Sequence, residues 1–178
     1  MQYTKTNNLL GWLCFVIAAV TYTLTLEPTA SFWDCGEFIA SAYKLQVVHQ
    51  PGAPLFIMIA KVFSLLASDK TQVAFWMNMS SAIASAATIL FLFWTITALV
   101  RKVLAPNAQE LSTTQLITIM GSGLVGALAY TFSDTFWFSA VEAEVYAMSS
   151  LCTAIVFWAI LKWEHHADDI IYYDKRLI

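Results

Sequence analysis

Two carboxylates lie three residues apart in the segment SFWDCGEF, which covers positions 31–38 and contains Asp34 and Glu37. The segment directly follows a long apolar stretch. Acidic side chains beside a membrane span lose solvation energy, so their presence there indicates a functional site. Two carboxylates that share one site push their pKa values apart, which suits one of them to take a proton from a substrate. The spacing therefore predicts general-base chemistry at Asp34 and Glu37.

The same spacing is also typical of a helix N-terminus. Ser31 with Asp34, or Asp34 with Glu37, would form a capping box, in which side chains accept hydrogen bonds from backbone N–H groups of the first turn. The two interpretations are compatible, because one carboxylate can cap the helix while the other reacts. Both stay open at the level of the sequence.

A turn with two prolines, HQPGAPLF at positions 49–56, follows this segment. Pro54 can occupy the first turn of the next helix. His49 could orient a phosphate or act as a base, and Lys61 could reach an anionic phosphate. The ordinary alternatives are an interfacial hydrogen bond for His49 and a Lys61 head group that extends to water.

Acidic and aromatic residues recur between positions 132 and 146, where Glu142, Glu144 and Tyr146 lie. Glu142 and Tyr146 are four apart and would share one face of a helix, from which Glu144 would point away. The pattern fits either residues that support the site or an ordinary solvated loop. The later segment EHHADD, at positions 164–169, is interpreted as a solvated tail. The three cysteines lack metal-ligand spacing, so we expect small buried side chains and no metal site.

Long apolar stretches must position these residues. The chain has 178 residues, of which 59% are hydrophobic and 12% are charged, whereas a soluble domain carries about 25% charged residues. The sequence therefore predicts an integral membrane protein, and a net charge of −3 excludes a basic nucleic-acid surface. Four stretches are long enough to cross a bilayer as helices. They cover positions 9–26, 73–100, 116–132 and 145–163.

The remaining apolar segments, 31–47 and 53–67, carry polar stripes and predict amphipathic helices in the membrane interface. The expected fold is all-α, with four transmembrane helices and two amphipathic juxtamembrane helices in an outer loop at 27–72, which holds the active site. We expect one module over 1–178. With the N-terminus inside, six cationic residues face the cytoplasm and three lie outside. A five-span arrangement fits the charges equally well, but it places Asp34 and Glu142 on opposite faces.

Three segments carry a resemblance to a known family. The DCGE run at 34–37, the HQPGAPLF run at 49–56 and the AEVY run at 143–146 resemble segments of the GT-C glycosyltransferases, and most closely the protein O-mannosyltransferase-like group. Gln50 departs from the proline that is usual in the second segment. Such enzymes are several times longer, so we expect this chain to correspond to their N-terminal part.

The resemblance implies a sugar donor carried on a polyprenyl phosphate, with no further cofactor assigned, and transfer to an acceptor hydroxyl of a protein or glycan. It implies Asp34 as the general base and Glu37 as the residue that positions the acceptor or tunes Asp34. His49 and Lys61 would lie near the lipid phosphate, and the substrate-binding set would include three further residues, Glu142, Glu144 and Tyr146.

The implied location is the bacterial inner membrane, with the active site on the extracytoplasmic face. Partners would be membrane lipid, the lipid-linked sugar and the acceptor, and other membrane subunits could join them. The sequence leaves a second function open, that of a non-catalytic membrane subunit whose aromatic loops bind a partner. A proton-coupled transporter fits less well, because the acidic residues cluster at the ends of the spans and not at their middles.

Overall fold

A computed structural model describes residues 2–106, 108 and 110–167, and these residues form helices joined by short loops. The predictions that concern Asp168 and Asp169, and those that concern Lys175 and Arg176, lie outside the described residues. A single turn of 3₁₀-helix, Lys70–Gln72, precedes the longest helix. The α-helices are α1 (Gln2–Leu24), α2 (Cys35–Lys44), α3 (Pro54–Ser64), α4 (Val73–Leu104), α5 (Thr113–Thr131), α6 (Asp134–Ala140) and α7 (Val145–Ala167).

Helix α4 is the centre of the bundle and packs against α1, α5 and α7. Its Phe93 is fully buried and lies in one apolar cluster with Tyr22 of α1 and Ile119 of α5. Glycines allow the close approach of α5. A Cβ atom at Gly123 would lie 2.6 Å from Cγ2 of Thr97. The hydrophobic effect does not drive helices together in lipid, so the close packing that small residues allow contributes more to their association.

The prediction of an all-α membrane protein is confirmed. Helices α1, α4 and α7 are each long and apolar enough to cross a membrane. Helix α5 meets the same test only together with α6, across a bend of 66°. The described part of the chain therefore has three candidate spans, or four if the bent pair counts as one.

The two predicted juxtamembrane helices are present as α2 and α3, but both are shorter than expected. Helix α2 starts at Cys35 because Trp33 adopts a φ of 62°, which interrupts the helix that was predicted from position 31. It ends where Leu45 takes a left-handed conformation. Pro54 opens α3, as predicted. The two helices pack on each other and on the start of α4 through the Phe38 and Phe56 rings.

Both loops that carry the acidic residues lie at the same end of the bundle. The buried Asn78 amide of α4 donates hydrogen bonds to the carbonyl oxygens of Glu27, at 2.6 Å, and Thr29, at 2.9 Å. The Glu27 N–H donates to the carbonyl oxygen of Val141 at 3.1 Å. The five-span arrangement, which separates the two loops by the membrane, is therefore wrong.

The same packing predicts the sidedness of each loop. In a Cys152→Ser background, single cysteines at Ser68 and Thr135 should react with a membrane-impermeant thiol reagent from one side, and a cysteine at Glu110 from the other. Helix α4 separates Ser68 from Glu110, and the bent α5–α6 pair returns the chain to the first side. Labelling of Ser68 and Thr135 from opposite sides would contradict a crossing by α5.

Candidate active site

The Asp34 carboxylate lies at the N-terminus of α2, and its Oδ2 is 3.9 Å from Nε2 of His49. Asp34 occupies the N-cap position, but its side chain makes no capping hydrogen bond, and its backbone is helical where a capping residue is normally extended. The capping-box interpretation is therefore wrong for this helix. The side chain is 58% exposed. An exposed carboxylate that caps nothing is available to a substrate.

Glu37 holds His49 in a fixed orientation. One Glu37 oxygen, Oε1, accepts the backbone N–H of His49 at 2.8 Å, and Oε2 lies 2.8 Å from the ring atom Nδ1. The turn after His49 supports this placement, since the Gly52 N–H donates to the His49 carbonyl at 2.8 Å. Gly52 has a φ of 75°, a conformation that favours glycine. Sequence reasoning placed these residues in one loop, and the structure brings them into contact.

The pairing sets the charge and the tautomer of His49. An ionised carboxylate only accepts hydrogen bonds, so Nδ1 is the donor to Glu37 and Nε2 faces Asp34, whose Oδ2 lies 3.9 Å away. The hydrogen bond from His49 holds the pKa of Glu37 below its usual range. The same bond, with the Glu37 charge, raises the pKa of His49 and favours the imidazolium. The site thus offers one cationic donor beside one exposed carboxylate.

A second, buried cluster lies behind the first and consists of Cys35, Glu142 and Glu144. The Cys35 thiol donates to Oε1 of Glu144 at 3.4 Å. One potential ligand atom from each of the three residues lies within 4.8 Å of the others. Burial is the main cause that raises the pKa of Glu144, and burial likewise raises the pKa of the Cys35 thiol.

One of the two alternatives left open for this loop is excluded, and one expectation for it is wrong. Glu142 and Glu144 are 5% and 6% exposed, so they are not part of a solvated loop. Glu144 does not point away from Glu142, because α7 begins only at Val145 and the preceding residues are not helical. The Glu144 N–H bonds to the Glu142 carbonyl at 2.9 Å in a tight turn. This turn places both glutamate side chains in one cluster, and the sequence carries no regular period that would have shown it.

Tyr146 and Lys61 are not brought into this site. Tyr146 is 62% exposed on the first turn of α7, and Glu142 precedes that helix, so the two share no helical face. The Lys61 ammonium donates to the carbonyl oxygen of Tyr43 and lies 4.9 Å from the centre of its ring. Tyr43 lies about 13 Å from Asp34 along the axis of α2, at the α-helical rise per residue. Lys61 therefore binds the end of α2 opposite to Asp34.

Cys35 is the residue of the buried cluster that sequence reasoning did not assign to a site. It was expected to be a small buried side chain, and it is fully buried, but its thiol contacts a carboxylate 109 residues away. Local spacing carries no signal for a contact of that separation. The cysteine between Asp34 and Glu37 was visible as part of the DCGE run, without any indication of its partner.

Comparisons with known proteins all point to one family. The family model described as the Protein O-mannosyl-transferase TMEM260 N-terminal domain matches residues 34–177. The chain is 30% identical to Protein O-mannosyl-transferase tmem260 of Dictyostelium discoideum over 148 residues, which cover 82% of this chain and 16% of that protein. It is 25% identical to Protein O-mannosyl-transferase TMEM260 of Mus musculus over 150 residues, which cover 84% of this chain and 19% of that protein.

The chain thus spans less than a fifth of the length of these two relatives. No solved structure matches it. The family model covers both candidate clusters, from Asp34 at its first matched position through Glu144. The family model matches most of the chain, and the membrane helices agree with it. This chain therefore belongs to the family of the protein O-mannosyl-transferase TMEM260 N-terminal domain.

Proposed function

We propose that this chain is the catalytic N-terminal part of a membrane glycosyltransferase of the protein O-mannosyltransferase type. It transfers a sugar from a polyprenyl-phosphate donor to an acceptor hydroxyl, on a protein in the first instance, at the extracytoplasmic face. In a bacterium this face is the outer side of the inner membrane. Family membership supports the reaction class, and the relatives are named for protein O-mannosyl transfer.

One observation carries the proposal. Asp34 is an exposed carboxylate that caps no helix and faces a histidine already oriented by another carboxylate. General-base catalysis requires a carboxylate that the substrate can reach, and Asp34 is exposed and not used for capping. A helix N-terminus that used Asp34 only for folding would show the capping hydrogen bond, and α2 does not show it.

The proposed reaction follows from these positions. Asp34 takes the proton of the acceptor hydroxyl while that oxygen forms a bond to the anomeric carbon of the sugar. The bond between that carbon and the phosphate oxygen breaks, and its electron pair leaves with the polyprenyl phosphate. Positive charge near the departing phosphate lowers the barrier, because it acts where negative charge develops.

We assign that charge to His49. Its Nε2 is the ring nitrogen that Glu37 leaves available, and the Glu37 pairing raises its pKa toward the cationic form. Because both Glu37 oxygens are bound to His49, Glu37 acts by positioning the histidine and not by holding the acceptor. The Lys61 ammonium is bound to the Tyr43 carbonyl, so the proposal assigns it no role in donor recognition.

The experiment is a transfer assay on the intact protein in membranes. A radiolabelled polyprenyl-phosphate mannose should label acceptor protein, and the label should be released by an α-mannosidase. Membranes with Glu110→Gln provide the matched control, since this exposed carboxylate follows α4 at the other end of the bundle. Failure to transfer from any polyprenyl-phosphate sugar, in protein that is normally expressed, would favour the alternative of a non-catalytic subunit. Transfer from a nucleotide sugar would refute the donor class.

A further inference from the structure

The buried cluster behind Asp34 brings two carboxyl groups and a thiol together, and no cationic side chain of the described residues forms an ion pair with them. Glu142 and Glu144 are almost fully buried, and Cys35 is fully buried beside them. Among the described residues, the ion pairs join His49 to Asp34 and Glu37, and Lys102 to Glu164. None of them includes Glu142 or Glu144. A buried carboxylate without a counter-charge is strongly destabilising, so such groups are normally paired, protonated or bound to a metal.

Outside this cluster, no polar group of the described residues pairs with the Glu142 carboxylate, which points to a ligand. Only 5% of Glu142 is exposed to solvent. No N–H or O–H group of the described residues donates to its carboxylate. Its oxygen is directed instead toward the Cys35 sulfur and the Glu144 carboxylate, within 4.8 Å of both. Buried side-chain oxygens in proteins nearly always have a hydrogen-bond donor or a cation.

We infer that Cys35, Glu142 and Glu144 bind a divalent transition-metal ion of the zinc class. One sulfur and two carboxylate oxygens are a donor set for Zn²⁺ and unlike the all-oxygen sets of Mg²⁺ and Ca²⁺. The ligand atoms of a tetrahedral zinc ion lie roughly 3.3–3.8 Å apart, from its bond lengths. The Cys35–Glu144 separation of 3.4 Å lies in this range, and the Glu142 oxygen lies within 4.8 Å of both atoms.

The ion would join two distant parts of the chain. Cys35 is the first residue of α2, and the two glutamates lie in the loop before α7. Glu144 is 109 residues after Cys35. Binding of the ion releases the Cys35 thiol proton to solvent, so that the ligands are one thiolate and two carboxylates, and the ion offsets two of these three charges. It also fixes the start of α2. Since Asp34 is the neighbour of Cys35, the metal would act as a positioning element for the candidate active site, with three protein ligands and a fourth position for water.

The test measures metal and does not require activity. The intact protein is purified in detergent, stripped with a chelator, loaded with Zn²⁺ alone and freed of excess. X-ray absorption at the zinc edge should show a sulfur at about 2.3 Å and oxygens at about 2.0 Å. Cys35→Ser should remove the sulfur signal and weaken zinc affinity by more than about 100-fold, because changes to residues beyond the ligands already cost 10- to 100-fold.

The chain offers matched controls. Cys152→Ser removes an exposed cysteine and Cys14→Ser a buried one, and both should leave the sulfur signal unchanged. Glu142→Gln keeps the side-chain size and should weaken zinc affinity, which tests the site even if Cys35→Ser folds poorly. The inference is overturned if wild-type protein retains no Zn²⁺, or if the sulfur signal persists in Cys35→Ser. A protonated carboxylic acid gives a characteristic infrared band. The inference is also overturned if the metal-free protein shows this band, Glu144→Gln removes it, and addition of Zn²⁺ leaves it unchanged.

Discussion

Asp34→Asn should lower the rate of sugar transfer by about 10²- to 10⁴-fold, which is the usual contribution of a positioned base. The amide has the shape of the carboxylate but cannot take a proton at neutral pH. The fold should survive, because the Asp34 side chain makes no capping hydrogen bond that the substitution could remove. The measurement is transfer from polyprenyl-phosphate mannose in membranes, normalised to the amount of each variant.

The control for this prediction is another carboxylate-to-amide change. Glu110→Gln alters an exposed carboxylate at the other end of α4 and should transfer at the wild-type rate. If Asp34→Asn is well expressed and transfers sugar within about twofold of Glu110→Gln, Asp34 is not the base. The loss expected for a base is far larger than that margin.

Most of the fold could be predicted from the length of the apolar stretches. Residues of helices that cross lipid must be apolar over about 20 positions, and this constraint is readable without knowledge of tertiary contacts. The exact ends of the helices could not be predicted in the same way. Helix α2 begins four residues later than expected because Trp33 has a positive φ, and nothing in a tryptophan indicates that conformation. The bend of 66° after α5 is likewise a tertiary result.

The candidate site could be predicted where its residues are close in sequence. Asp34, Glu37 and His49 lie within one loop, and the sequence named all three. The contact between Cys35 and Glu144 joins residues 109 positions apart and left no local pattern. The helical period was also applied to a segment that is not helical, so Glu142 was grouped with Tyr146 and not with Glu144. The two glutamates come together because the chain makes a tight turn there, with the Glu144 N–H bound to the Glu142 carbonyl.

His49→Gln should lower transfer by about 10²- to 10³-fold, the usual cost of removing one group that stabilises developing negative charge. Glutamine can still form a hydrogen bond with Glu37, but it carries no positive charge. The loss should fall on the bond-breaking step, so donors with a better leaving group than polyprenyl phosphate should be affected less. The comparison of two such donors with wild-type and variant protein measures this difference. An equal loss for both donors would show that His49 acts by other means.

The companion variant Glu37→Gln separates the charge of His49 from its presence. Glu37, Asp34 and Glu144 each raise the pKa of His49, and Glu37 has the largest influence through its hydrogen bond. If transfer requires the imidazolium, its rate falls as pH rises through the pKa of His49. Glu37→Gln removes the largest of these influences, so that pKa falls and the alkaline loss of activity should begin at lower pH. A profile of kcat/KM against pH measures the shift. An unchanged alkaline limb would mean that the protonated histidine is not the reactive form, and the assignment of His49 to the phosphate would then be wrong.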